Sequence, residues 1–176
     1  MHFIAPFRPQ HRVMYSWNTR HNNWRYIVWD MDKILNHDWH HKEQVEKALK
    51  RKDENMVAFL IRYQILYGLG GIIVPNWVIN LKCINPLMEI QEQDDVLMDI
   101  SRSFIASSRH NPHIKAILDK VGTYSKIQEA IALEDEFWSG KSTLLNMHEY
   151  YTHQSETQVP FVNYILKSEK MNYAKL

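Results

Sequence analysis

Cysteine, glycine and proline are all scarce in this sequence. Cys83 is the one cysteine among 176 residues, so no disulfide can form within the chain, and this fits a reducing compartment. Five glycines and six prolines are too few for the many tight turns of an all-β sandwich or barrel. The stretch from Met1 to Pro6 also lacks the basic and apolar regions of a signal peptide. We therefore expect an intracellular protein, located in the cytoplasm or within a particle.

An excess of charge of either sign is also absent, since 21 basic residues stand against 20 acidic ones. A protein dedicated to nucleic acid usually carries a clear basic excess, so nucleic acid is a less favoured partner than other protein subunits. Trp, Tyr and Met are abundant, with 6, 9 and 8 residues. Such large, adaptable side chains suit protein contact surfaces, although they also fill cores.

One long apolar run, Met56–Leu81, is the sequence's candidate for a membrane span. Its length would cross a bilayer. However, Arg62 and Gln64 lie in its first half, and a central arginine costs roughly 2.5 kcal/mol or more on insertion scales. We therefore predict a buried core helix that ends in a buried turn, and we do not expect a membrane partner.

Helix signals dominate the middle of the chain. The residues from Trp24 to Leu35 place apolar side chains at helical spacing, and a helix is predicted from Met56 to about Leu69. Asn85-Pro86 and Asn111-Pro112 each place a capping residue before a proline, which is typical of a helix start. The first of these starts predicts a long helix toward Ser108.

These signals predict a mainly α fold, a compact bundle of about six or seven helices with extended N- and C-terminal arms. Segments 24–35 and 72–79 leave room for one short strand pair. The predicted organisation is an N-terminal arm at 1–22, a helical domain at 23–158, and a C-terminal docking segment and tail at 159–176.

The apolar segment that ends in Asp30-Met31-Asp32 carries the strongest catalytic signal. It resembles the first motif of the haloacid-dehalogenase-like phosphotransferases, in which an apolar strand ends in Asp-x-Asp. The resemblance implies that Asp30 is a nucleophile, that Asp32 is a general acid/base and that Mg²⁺ lies between them. It covers about ten residues, and it departs from the family pattern at Lys33, where glycine is usual, and at Ile34. The same residues also fit an amphipathic helix, which we prefer.

The other candidate motifs are weaker. His37, His40 and His41 cluster beside Asp38, but their spacing matches no familiar zinc-ligand pattern, so they predict at most a weak metal site. Gly140-Lys141-Ser142-Thr143 lacks the earlier glycine of a phosphate-binding loop. We therefore expect no cofactor.

The failure of the catalytic motifs favours a non-enzyme. We expect a non-catalytic structural or adaptor subunit of a larger assembly, for example a virus or phage particle, that contacts its neighbours through its terminal arms. The alternatives are a Mg-dependent phosphotransferase or phosphatase that uses Asp30 and Asp32, and a helical nucleic-acid-associated protein. The predicted partner-binding residues are the aromatic and apolar side chains of the two arms: Phe3, Phe7, Tyr15, Trp17, Phe161, Tyr164 and Ile165.

Overall fold

A computed structural model of the chain describes residues 1–8, 11–74, 76, 80, 84–85, 96–98, 104–122, 126–139 and 144–146. Helices separate the strands of the first half of the chain. In chain order the elements are β1 (His2–Ile4), α1 (His11–Asn18), β2 (Ile27–Trp29), α2 (Met31–Asn36), α3 (Lys42–Lys50), α4 (Glu54–Leu69), β3 (Gly71–Val74), β4 (Val96–Met98), β5 (Ile105–Ser107), α5 (Pro112–Val121), α6 (Ile127–Ser139) and β6 (Leu144–Asn146).

The strands form one six-stranded mixed sheet in the order β2-β1-β3-β5-β4-β6. Strand β1 pairs in parallel with β2 on one side and with β3 on the other, so that His2 lies opposite Ile27 and Ile73. Strand β5 is antiparallel to both β3 and β4, and β6 is parallel to β4. The first three strands, which come from the N-terminal half of the chain, therefore make a parallel block in which β1 is central.

The prediction of a mainly α bundle with an extended N-terminal arm is wrong, because the chain is an α/β mix in which β1 belongs to the predicted arm. The strands are three or four residues long, which is too short for strand alternation to stand out from the sequence. The stripe from Trp24 to Leu35 is divided between β2 and α2. The predicted long helix does not continue to Ser108, because β4 and β5 lie within its predicted range, although Asn85 at its start is helical.

Side chains alternate between the two faces of the sheet and build two separate cores. Ile4, Ile73 and Ile105 pack on the face covered by α2 to α6, which we call the α4 side. Phe3 and Ile72 pack on the opposite face against α1, which we call the α1 side. Because both faces are covered, strands β1, β3, β4 and β5 are buried throughout, apart from Gly71 at the start of β3, and their sequences are apolar except for Gly71, His2 and Ser107.

Helix α4 is the centre of the α4 side, and its prediction as a buried core helix is confirmed. Its cap is Asp53, whose Oδ1 accepts a hydrogen bond from the Met56 N–H at 3.0 Å. Gly70 ends the helix with a φ of 65°, and a Cβ there would lie 2.7 Å from the backbone nitrogen of Arg109. Among the described residues, no helix is long and apolar enough to cross a membrane.

The two predicted Asn-Pro helix starts have different outcomes. Asn111-Pro112 is confirmed, since Asn111 Oδ1 accepts hydrogen bonds from the N–H groups of His113 at 2.9 Å and Ile114 at 3.2 Å, and α5 begins at Pro112. At the other start, Asn85 Oδ1 accepts a hydrogen bond from Trp24 Nε1 at 2.9 Å. Residues 86–95 lie outside the described part of the chain.

Candidate functional site

The carboxyl ends of β1, β2 and β3 lie along one margin of the sheet, because the three strands are parallel. We call this margin the carboxyl edge. From β1 the chain moves outward to β2, and from β2 it returns across β1 to β3, so the direction of winding reverses between β1 and β3. In open α/β sheets, ligands bind outside the carboxyl ends of the strands at such a reversal. The carboxyl edge is therefore the candidate site.

The segment after β1 supplies the first wall of this edge. The Ala5 N–H donates to the Trp29 carbonyl at 3.0 Å, which continues the pairing with β2 and fixes where the chain leaves the sheet. Arg8 then lies exposed on the surface. Helix α1 follows, with exposed Arg12 and no acidic residue in its first turn. The start of a helix favours anions through its unpaired N–H groups, so this wall suits a negatively charged ligand.

Asp30 directly follows β2, and its carboxylate is fully engaged with Lys33. Its Oδ1 accepts a hydrogen bond from the Lys33 backbone N–H at 2.9 Å, and its Oδ2 lies 3.1 Å from Lys33 Nζ. The backbone and side-chain hydrogen bonds from Lys33 hold the pKa of Asp30 below its ordinary value. Lys33 Nζ also donates to the Val28 carbonyl at 2.9 Å on β2, the outermost strand. Asp30 is thus the N-cap of α2 and an anchor for Lys33.

The Asp-x-Asp resemblance is met in one respect and not in another. Asp30 does follow the end of a strand, but β2 is the outermost strand of the sheet, and Asp32 lies exposed on α2. Within the described ranges, no three His, Cys, Asp or Glu side chains come close enough to hold one metal ion. The described residues around Asp30 and Asp32 therefore do not assemble the Mg²⁺ site that the resemblance implies.

Asn76 supplies the third part of the carboxyl edge, after β3. It is 9% exposed, and its Nδ2 donates to Glu54 Oε1 at 2.7 Å. Glu54 is the first residue of α4, so this hydrogen bond ties the start of that helix to the end of β3. The sequence analysis missed both residues. The available signal was the apolar run Ile72-Ile73-Val74 followed by a polar residue, which is typical of a buried strand and its terminal loop.

The three clustered histidines face different partners. His37 packs against Trp39 and Trp29, with ring centroids 4.2 and 5.4 Å apart. The His40 backbone N–H donates to Gln64 Oε1 at 2.5 Å. His41 Nε2 lies 3.2 Å from the Leu118 carbonyl on α5. The His40 and His41 rings lie 4.6 Å apart, but His37 packs on the tryptophans, and among the described residues these side chains form no cluster that could hold a metal ion.

The predicted partner-binding residues are split between the core, the surface and the part of the chain outside the described residues. Phe3 and Trp17 are buried on the α1 side, where they pack within the molecule. Phe7 is half-buried against the α4-side core, whereas Tyr15 is 71% exposed. The three C-terminal members lie outside the described residues: Phe161, Tyr164 and Ile165.

Arg62 and Glu134 form a buried ion pair in the helical layer that the sequence analysis did not anticipate. Glu134 on α6 also accepts a hydrogen bond from the Tyr63 hydroxyl, and Trp138 Nε1 donates to that hydroxyl at 3.4 Å. Burial raises the pKa of Tyr63 above its ordinary value, so the hydroxyl stays protonated. The Arg62 guanidinium lies 5.3 Å from the centre of the Phe59 ring. This cluster fastens α6 to α4.

A comparison with protein-family models gave no match for this chain, and a search of the curated proteins found no relative.

Proposed function

We propose that the chain binds a small phosphate-bearing molecule of the nucleotide type at the carboxyl edge, between the ends of β1 and β3. The observation that carries this proposal is the strand order β2-β1-β3, with its reversal at β1. A reversal leaves the space between two neighbouring strand ends uncovered by either connection, so a ligand can enter there.

The charges around this edge support an anionic ligand. Arg8 and Arg12 are exposed and flank the start of α1. Arginine matches phosphate well, because its planar guanidinium donates two parallel hydrogen bonds. By contrast, the carboxylate of Asp30 is neutralised locally by Lys33, so it opposes an anion less than a free carboxylate would. The nucleobase of such a ligand, or another apolar ring, could pack beside Phe7, which is half-buried at the same edge.

Isothermal titration calorimetry with ADP, GDP, UDP and CDP tests this proposal. At least one of the four should bind, and Arg8→Ala should weaken its affinity about tenfold, since one charge-assisted hydrogen bond contributes roughly 1.5 to 3 kcal/mol. Arg109→Ala is the matched control, because Arg109 is an exposed arginine beside Gly70 at the opposite edge of β3. Failure of all four nucleotides to bind, or equal losses in the two variants, would count against the proposal.

Contact with other protein subunits is our second proposal, in which the chain is a non-catalytic structural or adaptor subunit. The observation that favours it is the exposure of Tyr15, since 71% of this large aromatic residue faces solvent on α1. Aromatic side chains of this kind are enriched in protein interfaces. Ile131 on α6 is also exposed, at 47%.

Sedimentation velocity tests this second proposal in its simplest form, contact between copies of the chain. The purified chain should form oligomers, and Tyr15→Ser should shift them toward monomer. Leu69→Ser is the control, because Leu69 is similarly exposed, at 53%, but lies on α4. A chain that is monomeric at every concentration, or that dissociates equally in both variants, would contradict this role for Tyr15.

A further inference from the structure

His21 is the centre of a buried hydrogen-bond network on the α1 side. It is 1% exposed, follows α1, and packs between the rings of Trp17 and Trp24. Its Nε2 accepts a hydrogen bond from the Ile84 backbone N–H at 2.9 Å. Its Nδ1 lies 3.1 Å from the Trp17 carbonyl and 3.2 Å from the Asn80 side-chain amide. One imidazole therefore joins the end of α1, at Trp17, to Ile84 of the connection that follows β3.

These hydrogen bonds require the neutral form of His21. A backbone N–H can only donate, so Nε2 must present its lone pair to Ile84. The proton of the neutral ring is then on Nδ1, which donates to the Trp17 carbonyl. Protonation would place a second hydrogen on Nε2, pointing at the Ile84 N–H. Two donors would then face each other in a buried site, and the Ile84 N–H would lose its acceptor.

The neighbouring contacts attach the same connection to the α1 side. The Asn80 backbone N–H donates to Ser16 Oγ at 2.9 Å, and Asn80 is completely buried. Asn85 accepts a hydrogen bond from Trp24 Nε1 at 2.9 Å. Described residues at both ends of the 80–85 stretch are therefore held by polar side chains. The hydrogen bond between Ile84 and His21 is the one whose acceptor titrates near neutral pH.

We propose that His21 is a pH-sensitive latch, which holds Ile84 against the end of α1 when it is neutral and releases Ile84 when it is protonated. Asn76 lies in the same connection, at the carboxyl edge. Release would therefore alter the edge where a ligand is proposed to bind, and this last consequence rests on the proposed function. The latch itself does not depend on any ligand.

The groups around His21 favour release in acid. Burial is the main reason that the pKa of His21 is lower than its ordinary value of 6.5, and the Arg20 cation lowers it further. The Tyr26 hydroxyl donates to the His21 carbonyl at 2.8 Å, and burial raises the pKa of Tyr26 to about 12, so it stays neutral. Above pH 6.5 the hydrogen bonds of neutral His21 therefore stabilise the attached state fully. This stabilisation declines as the pH falls below 6.5 toward the lower pKa of the attached ring.

Hydrogen exchange of the full chain without ligand, compared at pH 7.5 and pH 5, tests the latch. The protection factor of the Ile84 amide, corrected for intrinsic exchange, should fall about tenfold or more at pH 5, as expected when a buried hydrogen bond is lost. In His2→Gln, which lacks the pH response that His2 gives to global stability, protection of α4 amides, for example that of Leu66, should change less than protection of Ile84. Equal protection of Ile84 at both pH values would overturn the proposal.

His21→Gln provides the matched variant, because the glutamine side chain carries an oxygen that can accept from the Ile84 N–H and does not titrate. The pH response of the Ile84 amide should disappear in this variant, whereas it should persist in His2→Gln. A response that survives in His21→Gln would overturn the proposal. NMR titration of the His21 ring in the unaltered chain gives an independent check, since a pKa at or above 6.5 would also overturn it.

Discussion

The two faces of the sheet are stabilised in different ways. On the α4 side, most of the described buried contacts are apolar, and the Arg62–Glu134 ion pair joins α4 to α6 within that layer. On the α1 side, a smaller apolar core is supplemented by hydrogen bonds that Ser16 and His21 accept from backbone N–H groups. Packing and the Arg62–Glu134 ion pair therefore dominate the described contacts of the α4 side, whereas the α1 side relies more on hydrogen bonds that polar side chains accept from backbone N–H groups.

Removing the carboxylate of Glu134 should have the largest effect on stability. Glu134→Ala leaves the Arg62 guanidinium buried without its anion, and breaking such a pair costs about 3–5 kcal/mol of unfolding free energy. Urea unfolding measures the loss. Lys115→Ala is the control, because the Lys115–Asp119 pair is exposed and contributes about 1 kcal/mol at most. Comparable losses in the two variants would show that burial does not distinguish these pairs.

A cavity in α4 should destabilise the protein nearly as much. Leu66 is completely buried, so Leu66→Ala should cost about 2–5 kcal/mol of unfolding free energy. Leu69→Ala on the same helix should change stability by less than about 0.5 kcal/mol, because Leu69 is 53% exposed. Thermal or urea unfolding of the pair gives the comparison. Similar effects at the two positions would contradict the orientation of α4.

The buried histidine of the α4 side should make stability depend on pH. His2 Nε2 lies 2.9 Å from the Gly70 carbonyl, and burial is the main reason that its pKa is lowered to about 4. Since the unfolded chain binds a proton more readily, stability should be highest above pH 6.5 and should decline as the pH falls toward 4, by about 3 kcal/mol in total. Urea unfolding between pH 7.5 and 4 measures this slope, which should be smaller in His2→Gln. If His2→Gln has the same slope of unfolding free energy against pH as the unaltered chain, groups other than His2 cause the pH dependence.

A change at Ser16 should have the smallest of these effects and should be confined to the α1 side. Ser16→Ala removes the acceptor of the buried Asn80 N–H, which should cost about 1–3 kcal/mol of unfolding free energy. Thr19→Ala is the control, because the exposed Thr19 hydroxyl donates only to carbonyls near the end of α1. Hydrogen exchange should show the Ser16→Ala loss at Asn80. An equal loss of protection across α4 would contradict the separation of the two sides.

Helix α4 and the Asn111-Pro112 start could be predicted because their signals are local. A long apolar run and a cap before proline specify the same structure in most surroundings. The sheet was missed because pairing is not local. His2 pairs with Ile27 and Ile73, which lie 25 and 71 positions later in the chain. No local sequence pattern around His2 predicts a central strand.

The candidate site could be predicted from the sequence only in fragments. The Asp-x-Asp resemblance implied that Asp30 is a nucleophile, yet its hydrogen bonds with Lys33 show that it caps a helix. Asn76 and Glu54 could not be predicted, because each is an ordinary polar residue in the sequence. Only the fold places Asn76 Nδ2 2.7 Å from Glu54 Oε1. Likewise, His21 could not be told from the other nine histidines, since Asn80 and Ile84, which lie beside its ring, are 59 and 63 positions later in the chain.

NMR mapping of nucleotide binding on the isotope-labelled chain tests the central claim most directly, namely that the β2-β1-β3 order creates a ligand site at the carboxyl edge. The nucleoside diphosphate that binds in calorimetry should shift the amide signals of Phe7, Arg8 and Asn76. The signals of Gly70 and Arg109 at the opposite edge should move little. Shifts concentrated at Gly70 and Arg109, or no shifts with any of the four nucleotides, would contradict the account.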